Sequence, residues 1–391
     1  MKKVQIRQKK SQKYKGHYPL IKAEDMVNAQ DECKKWVSFY SEKDEFLGYG
    51  YLGKQHKGSG WIVSFSENQP INKSFLVHLF NEAKDYRSTF FADEATTAFR
   101  LFNGEGDGLG GVTIDWYAGF LVVSWYNDTI YQLKKEILEA LMSSNIKYQG
   151  IYEKIRFNTK EVPESAFLSG KQAPEPLLIK ENNITYATYL NEGLMTGIFL
   201  DQRQVRGRLT DNYAIGKTVL NTFSYTGAFS IASAMGGAVS TISVDLAKRS
   251  RQKTQEQFAV NGLSTDNQSI IVMDVFDYFK YAFKKQVTCD IVVMDPPSFA
   301  RNKKKVFSVA KDYQQLTTEA VALLNKDGLL VASTNAANVS LDKFRKMVEL
   351  GIKETGRAFT FLELYQLPED FRVAKEFNEG NYLKVLFYRV K

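Results

Sequence analysis

The sequence predicts an α/β protein. Its C-terminal half reads as a doubly wound parallel sheet with an antiparallel last strand, preceded by a small β-barrel domain and a small α+β middle domain. Three observations carry this expectation. The apolar runs "KTVLNTF", "STISVD", "SIIVMD", "CDIVVMD" and "GLLVAST" recur at helix-length intervals, as buried parallel strands with crossover helices do. Three successive runs end in an acid, Asp245, Asp274 and Asp295, and ligands of open α/β sheets sit beyond the carboxyl ends of their strands. Near the N-terminus, aromatics alternate with glycines and turn residues, as in short twisted strands.

A chain of 391 residues exceeds one ordinary core and suits domains at 1–75, 76–180 and 181–391. Apolar residues at 44% and charged residues at 25% are those of a folded globular protein, which excludes disorder on a large scale. The formal charge of +8 and a pI near 9.0 dispose the surface towards polyanions such as nucleic acid. Cys33 and Cys289 lie far apart, and His17, His56 and His78 fit no ligand spacing, so no metal is expected. Neither a secretory leader nor an apolar stretch of membrane-spanning length is visible, and the expected location is the cytoplasm. The oligomeric state is left open, a homodimer included.

The first fifteen residues carry seven basic side chains and no acid, Lys9, Lys10 and Lys13 among them. They read either as a solvated, partly frayed tail or as a phosphate-contacting strand or arm. "FLGYGYLGKQHKGSGWIVSF" (46–65) then supplies the strands of a compact barrel. In "SFLVHLFNEAKDYRSTFF", Phe75, Leu76, Leu79, Phe80 and Ala83 have helical spacing. "NGEGDGLGGVTIDWYAGFLVVSWYN" reads as a glycine-rich turn and two strands joined at Ala118 and Gly119. A helix over about 128–143 precedes the strand "YQGIYEKI", and 158–176, with three prolines, reads as a connection. At the end of the chain, "FTFLELYQL" and "YLKVLFYRV" are expected to pair antiparallel at one side of the sheet.

Chemistry is expected at the strand ends. "FSYTGAFSIASAMGG" is a turn holding Gly227 that leads into a helix, whose free N–H groups attract a polar ligand. The dinucleotide fingerprint GxGxxG is absent, which disfavours a nicotinamide oxidoreductase. Asp245, eighteen residues after Gly227, is placed either to accept from the vicinal hydroxyls of a ribose or to cap the following helix. Three consecutive strands with this ending make capping an improbable account of all three. In "DPPSF", Pro296 and Pro297 fix the backbone so that Asp295 meets the polar edge of a base. Phe299 either stacks on that base or packs in the core, packing being the favoured reading. The following Arg301, Lys303, Lys304 and Lys305 read as a phosphate contact or as a solvated loop.

In combination, "VLNTFSYTGAF", "VDLAKRSRQKTQEQFAVNGL", "MDVFDYF" and "VVMDPPSFARNKKKVF" resemble the successive motifs of class I S-adenosylmethionine-dependent methyltransferases. With "EGDGLGGVTID", "GIFLDQRQVR" and "LPEDFRVAKEFNEGNYLKV", nearly the whole chain is similar to the bacterial large-subunit rRNA cytosine-C5 methyltransferases, in which a PUA domain and an α+β domain precede a Rossmann-like methyltransferase domain. The resemblance implies S-adenosylmethionine as methyl donor and ribosomal RNA as partner. It implies that Phe223, Tyr225, Thr226 and Gly227 wrap the methionine part of the cofactor, that Asp245 holds the ribose and Asp274 the adenine, and that Asp201, Gln202 and Arg203 close over it. Arg203 would fork onto the cofactor's carboxylate, the alternative being a surface ion pair.

The pattern breaks at one point. Methylation at C5 of cytosine needs a nucleophile on C6, usually a thiolate, whereas "ASTNAANVS" places Asn335 and Ala336 where the family has a cysteine. Cys289 lies six residues before Asp295, about 20 Å away along a strand. Methylation of a ring nitrogen or exocyclic amine, served by Asp295, the Pro296 carbonyl and Asn335, and an inert RNA-binding protein that keeps the fold are the alternatives.

Overall fold

The computed structural model describes residues 1–28, 35–55, 58–301 and 306–391. The chain forms two compact units: residues 1–179, 189–196 and 369–380 make the first, and 180–188, 197–368 and 381–391 the second.

The first unit opens with β1 (Lys2–Ile6) and α1 (Gln8–Lys15), so the basic N-terminus is ordered rather than a frayed tail. The reason is local: Val4, Ile6 and Tyr14 are fully buried, and Lys10 and Lys13 turn their ammonium groups onto the buried Asp25 at 3.7 and 3.1 Å. With β2 (Leu20–Ile21), β3 (Val37–Ser41), β4 (Phe46–Gln55) and β5 (Gly58–Ser64), this sheet has the order β1-β3-β4-β5-β2. α2 (Lys73–Tyr86) and α3 (Ser88–Ala92) lead to a second sheet of β6 (Ala98–Asn103), β7 (Val112–Tyr117), β8 (Phe120–Trp125), β9 (Gly150–Ile155) and β10 (Ser165–Gly170), ordered β10-β9-β8-β7-β6.

The helix expected over 128–143 is two, α4 (Asp128–Gln132) and α5 (Lys134–Met142). The stretch expected to be a plain connection contains β10, whose backbone groups pair with β9. Tyr51, Trp61 and Val63 share a core with the second sheet. This explains the glycines of "GLGG": a Cβ on Gly110 would lie 2.4 Å from the Trp61 ring, and one on Gly111, at φ +89°, 2.2 Å from the Tyr51 hydroxyl. Only glycine allows that approach.

The second unit begins in the hairpin of β11 (Leu177–Glu181) and β12 (Ile184–Thr188) and continues with α6 (Arg203–Arg208). Then come β13 (Thr218–Thr222), α7 (Ala228–Met235), β14 (Ser240–Asp245), α8 (Arg249–Ala259), β15 (Gln268–Val272), α9 (Val275–Lys284) and β16 (Cys289–Met294). A small hairpin, β17 (Phe299–Arg301) with β18 (Val306–Ser308), precedes α10 (Val309–Val321), β19 (Leu324–Thr334), α11 (Leu341–Glu354), β20 (Phe359–Tyr365) and β21 (Lys384–Val390).

The large sheet has the order β15-β14-β13-β16-β19-β21-β20. Its first five strands are parallel, and β21 pairs antiparallel with both β19 and β20. Both faces of its central strands are buried: Leu220, Val292 and Leu330 pack into one apolar cluster, and Val219, Ile291, Val293, Leu329 and Val331 into another. That is why these strands read as unbroken apolar runs. The chain winds outward from β13 to β15 and then returns to β16 on the other side of β13. The switch point between β13 and β16 is where such a sheet leaves a crevice beyond its strand ends.

Candidate functional site: the strand ends of the large sheet

The loop after β13 is held in a conformation that few residues adopt. Phe223 (φ +55°), Tyr225 (φ +51°) and Gly227 (φ +80°) all lie in the left-handed region, which disfavours side chains with a Cβ. Asp245, at the end of β14, steadies this loop: its Oδ2 accepts from the Tyr225 amide and its Oδ1 from the Ala247 amide, each at 2.8 Å. The Thr226 hydroxyl donates to the carbonyl of Gly197 at 2.6 Å, tying the loop to the segment that carries Asp201–Arg203. A Cβ on Gly227 would stand 2.5 Å from Thr254 Cγ2, so glycine is required there by space as well as by φ.

Asp274 follows β15 and caps α9, its Oδ1 accepting from the Phe276 and Asp277 amides at 3.0 and 3.4 Å. The helix-cap role thought improbable for all three acids is therefore realised by Asp274, because the strand passes into a helix within one residue of it. Asp295 follows β16 and faces the Ser333 hydroxyl and the Gln202 amide, both of which hydrogen-bond its carboxyl group. Burial pushes this carboxyl up to about 6, and the charge of Asp201 adds to the rise. Gln202 Nε2 also donates to Ser333 Oγ at 2.7 Å, whereas its buried Oε1 has no hydrogen-bond partner. Asp201 accepts from the Tyr382 hydroxyl at 2.9 Å.

Arg203 is buried at the start of α6, which overturns the surface ion-pair alternative. Beside Asp295, Pro296 is buried, Pro297 is exposed, and Ser298 Oγ donates to Asn335 Oδ1 at 2.6 Å. Phe299 is 61% exposed, against the expectation that it packs in the core. It lies on the short β17–β18 hairpin, outside the large sheet. Lys303, Lys304 and Lys305 lie outside the described residues, as does the side chain of Arg301. Lys9, Lys10 and Lys13 belong to the first unit.

Several supporting residues carried no signal in the sequence. Arg206 and Glu181 form a buried two-point ion pair, Nε to Oε1 at 2.6 Å and Nη2 to Oε2 at 2.7 Å, and Arg206 Nη2 also donates to the Phe199 carbonyl at 2.7 Å. The pair thus fixes the segment on either side of Asp201–Arg203. Breaking a buried pair leaves an uncompensated charge and costs about 3–5 kcal/mol. Glu181→Gln is expected to lose stability of that order, read as a fall in melting temperature. The hydroxyl of Tyr313 donates to the Ser333 carbonyl at 2.8 Å and sets the end of β19 behind Asp295.

Among the described residues no thiol is poised here. Cys289 is fully buried at the opposite end of β16, and burial pushes its thiol up to about 12. It is the only free cysteine among the described residues. Cys289→Ala is expected to leave methyl incorporation unchanged; a loss out of proportion to any fall in melting temperature would make the thiol a participant after all. Among the described residues there is no group of side chains that could hold a metal ion, and no helix is long and apolar enough to cross a membrane.

A doubly wound sheet with a glycine turn after its first strand, an acid at the end of the second and Asp-Pro-Pro at the switch point defines an α/β enzyme built for a nucleoside-bearing cofactor. Residues 99–389 match the family described as S-adenosylmethionine-dependent methyltransferase, and residues 4–65 match the PUA-like domain. The chain belongs to the S-adenosylmethionine-dependent methyltransferase family, and S-adenosylmethionine is its cofactor.

It is 47% identical, over the full length of both chains, to the Bacillus subtilis (strain 168) protein named "Putative ribosomal RNA large subunit methyltransferase YwbD". It is 30% identical, over 90% of both, to "Ribosomal RNA large subunit methyltransferase I" of Shewanella frigidimarina (strain NCIMB 400). The crystal structure of SMU.776 complexed with SAH superposes with a TM-score of 0.94 at 48% identity, covering both chains completely.

Proposed function

We propose that this enzyme transfers the methyl group of S-adenosylmethionine to a base of large-subunit ribosomal RNA. Supporting the RNA substrate are the names of its full-length relatives, the PUA-like domain and the basic composition. In this reading Phe223, Tyr225, Thr226 and Gly227 hold the methionine part, Asp245 the ribose and Asp274 the adenine, while Asp201, Gln202 and Arg203 close the segment over it. Bound there, S-adenosylmethionine supplies an electrophilic methyl group.

The observation that carries the proposal is the half-buried Asp295 at the switch point, its carboxyl pushed up to about 6 by desolvation, followed by two prolines and the exposed ring of Phe299. Asp295 accepts an N–H of the base, the Pro296 carbonyl and Asn335 orient it, and Phe299 stacks on it. The family resemblance expects C5 of cytosine as acceptor. A second reading, compatible with the position of Cys289, takes an exocyclic amine or ring nitrogen of the base as acceptor. There Asp295 takes the proton that the nitrogen sheds as the N–C bond forms, and no thiolate adduct is needed.

The test is incubation with methyl-labelled cofactor and ribosomal RNA from a strain lacking the enzyme, followed by mass spectrometry of the nucleosides. Label in one RNA position supports the proposal, and no incorporation into RNA overturns it. 5-Methylcytidine, with a covalent adduct on 5-fluorocytidine RNA, decides for carbon; an N-methyl nucleoside without adduct decides for nitrogen.

A further inference from the structure

Lys384, the first residue of β21, is a buried cation that the proposed chemistry does not use. Its ammonium donates to two main-chain carbonyls, that of Ala336 at 3.2 Å and that of Tyr382 at 2.9 Å. Both partners are neutral, and desolvation lowers the pKa of the group. A charge taken out of water without a carboxylate beside it is costly, and a methionine would fill the same space without that cost. What a methionine cannot do is join the two carbonyls.

Each carbonyl belongs to a chain of contacts that leads towards Asp295. The first runs through the loop after β19. There the Ala336 carbonyl also accepts from the Val339 amide at 3.1 Å, and the Ala336 amide donates to Thr334 Oγ1 at 3.1 Å. Thr334 is the residue paired with Lys384 across the β19–β21 ladder. Asn335 lies inside that turn, and its Oδ1 accepts from Ser298, which follows Asp295 by three residues. The second chain runs through Tyr382, whose hydroxyl donates to Asp201 Oδ2 at 2.9 Å. The charge of Asp201 acts on Asp295, and the adjoining Gln202 hydrogen-bonds it. One ammonium thus fastens the loop that carries Asn335 to the residue that holds Asp201. All of these residues belong to the second unit.

We propose that Lys384 is a positioning residue for methyl transfer, clamping the loop after β19 to the start of β21 so that Asn335 and Asp201 are held fixed relative to Asp295. This rests on the reading in which Asp295 and Asn335 orient the acceptor base. Among the described residues no thiol is placed to pin that base, so its orientation depends on the groups around it. A displacement of about 1 Å in such groups costs about a hundredfold in rate.

The experiment measures Lys384→Met in the full chain, alone and combined with Asn335→Ala and with Tyr382→Phe. Single-turnover methyl transfer at saturating RNA gives the rate, and calorimetric binding of S-adenosylmethionine counts the folded sites. Lys384→Gln, which keeps an amide donor, replaces the methionine variant should that one not fold. The rate per folded site is expected to fall about ten- to a hundredfold, while the cofactor's Kd stays within about threefold. Because Lys384 acts through Asn335 and Tyr382, each double variant is expected to lose less than the product of its two single losses. An unchanged rate, a Kd that weakens as much as the rate falls, or multiplicative losses in both double variants would each overturn the proposal. If the natural enzyme places no methyl on ribosomal RNA, the substrate reading fails on its own, and hydrogen exchange decides for Lys384. Faster exchange of the Ala336 and Val339 amides in Lys384→Met then upholds its hold on the loop, and unchanged exchange overturns it.

Discussion

Asp295→Asn is expected to slow methyl transfer by roughly 10²- to 10⁴-fold, the contribution of a positioned acid or base, and at the same time to make the protein more stable at neutral pH. Both effects have one origin. The Asp295 carboxyl is pushed from 3.8 up to about 6 by burial, with the neighbouring Asp201 adding to the rise and the Ser333 and Gln202 hydrogen bonds holding it down. Below pH 3.8 the group is protonated folded or unfolded and imposes no penalty. Between 3.8 and about 6 the unfolded chain ionises while the folded one resists, so stability is lost as pH rises through that window. At 1.36 kcal/mol per pKa unit the loss is roughly 3 kcal/mol above pH 6. Asparagine keeps the shape, accepts from the Ser333 hydroxyl and carries no charge to desolvate.

Activity runs the other way on the proposed reading in which Asp295 takes a proton from the base, since a carboxylate that accepts a proton must be ionised. The rate of a single turnover by the natural enzyme should climb through pH 6 and level off above it. Melting temperatures of the two proteins across pH 4–8, with single-turnover rates at each pH, check both halves. An asparagine variant that retains full activity, or that melts lower at pH 7, contradicts the role assigned to Asp295.

The second large effect is expected of Asp245→Ala, which should abolish the rise in melting temperature that S-adenosylmethionine produces. A ligand present at a hundred times its Kd stabilises a protein by about 2.7 kcal/mol, and that increment is the one at stake. The carboxylate is already committed to the loop through the Tyr225 and Ala247 amides. Its removal frees Phe223 and Tyr225 to leave the left-handed conformation, which costs a residue with a Cβ roughly 1–2 kcal/mol. The variant therefore loses the proposed ribose contact and the loop shape together. Asp245→Asn keeps one carbonyl oxygen for the loop and should bind weakly rather than not at all. Undiminished protection of the alanine variant by the cofactor would remove Asp245 from the site.

Much of the site's position was legible in the chain because it depends on local pattern. A strand buried on both faces must be apolar throughout, so a carboxylate directly after it marks the strand end whatever the rest of the chain does; Asp245, Asp274 and Asp295 all stand at that edge. What each acid does there was not legible. Asp274 caps α9 and Asp245 braces the β13 loop, and both roles follow from backbone amides whose directions no side-chain pattern encodes. Phe299 faces outward because its strand belongs to a separate two-stranded hairpin. The same residue in a strand of the large sheet would have been core.

The sequence by itself determined the strands of the large sheet and the acids that follow three of them, that a glycine must stand at 227 and that no cysteine stands at 335, since periodicity and residue identity are local properties. Only the tertiary structure decided that Gln202 and Ser333, 131 positions apart, meet at Asp295, that Glu181 neutralises Arg206, and that Tyr382 reaches Asp201. Those pairings depend on how the strands, with β11 and α6 beside the large sheet, are brought together in space. The free energy of a buried carboxyl or guanidinium is set by the groups that such an arrangement brings within hydrogen-bond distance, and not by its neighbours along the chain.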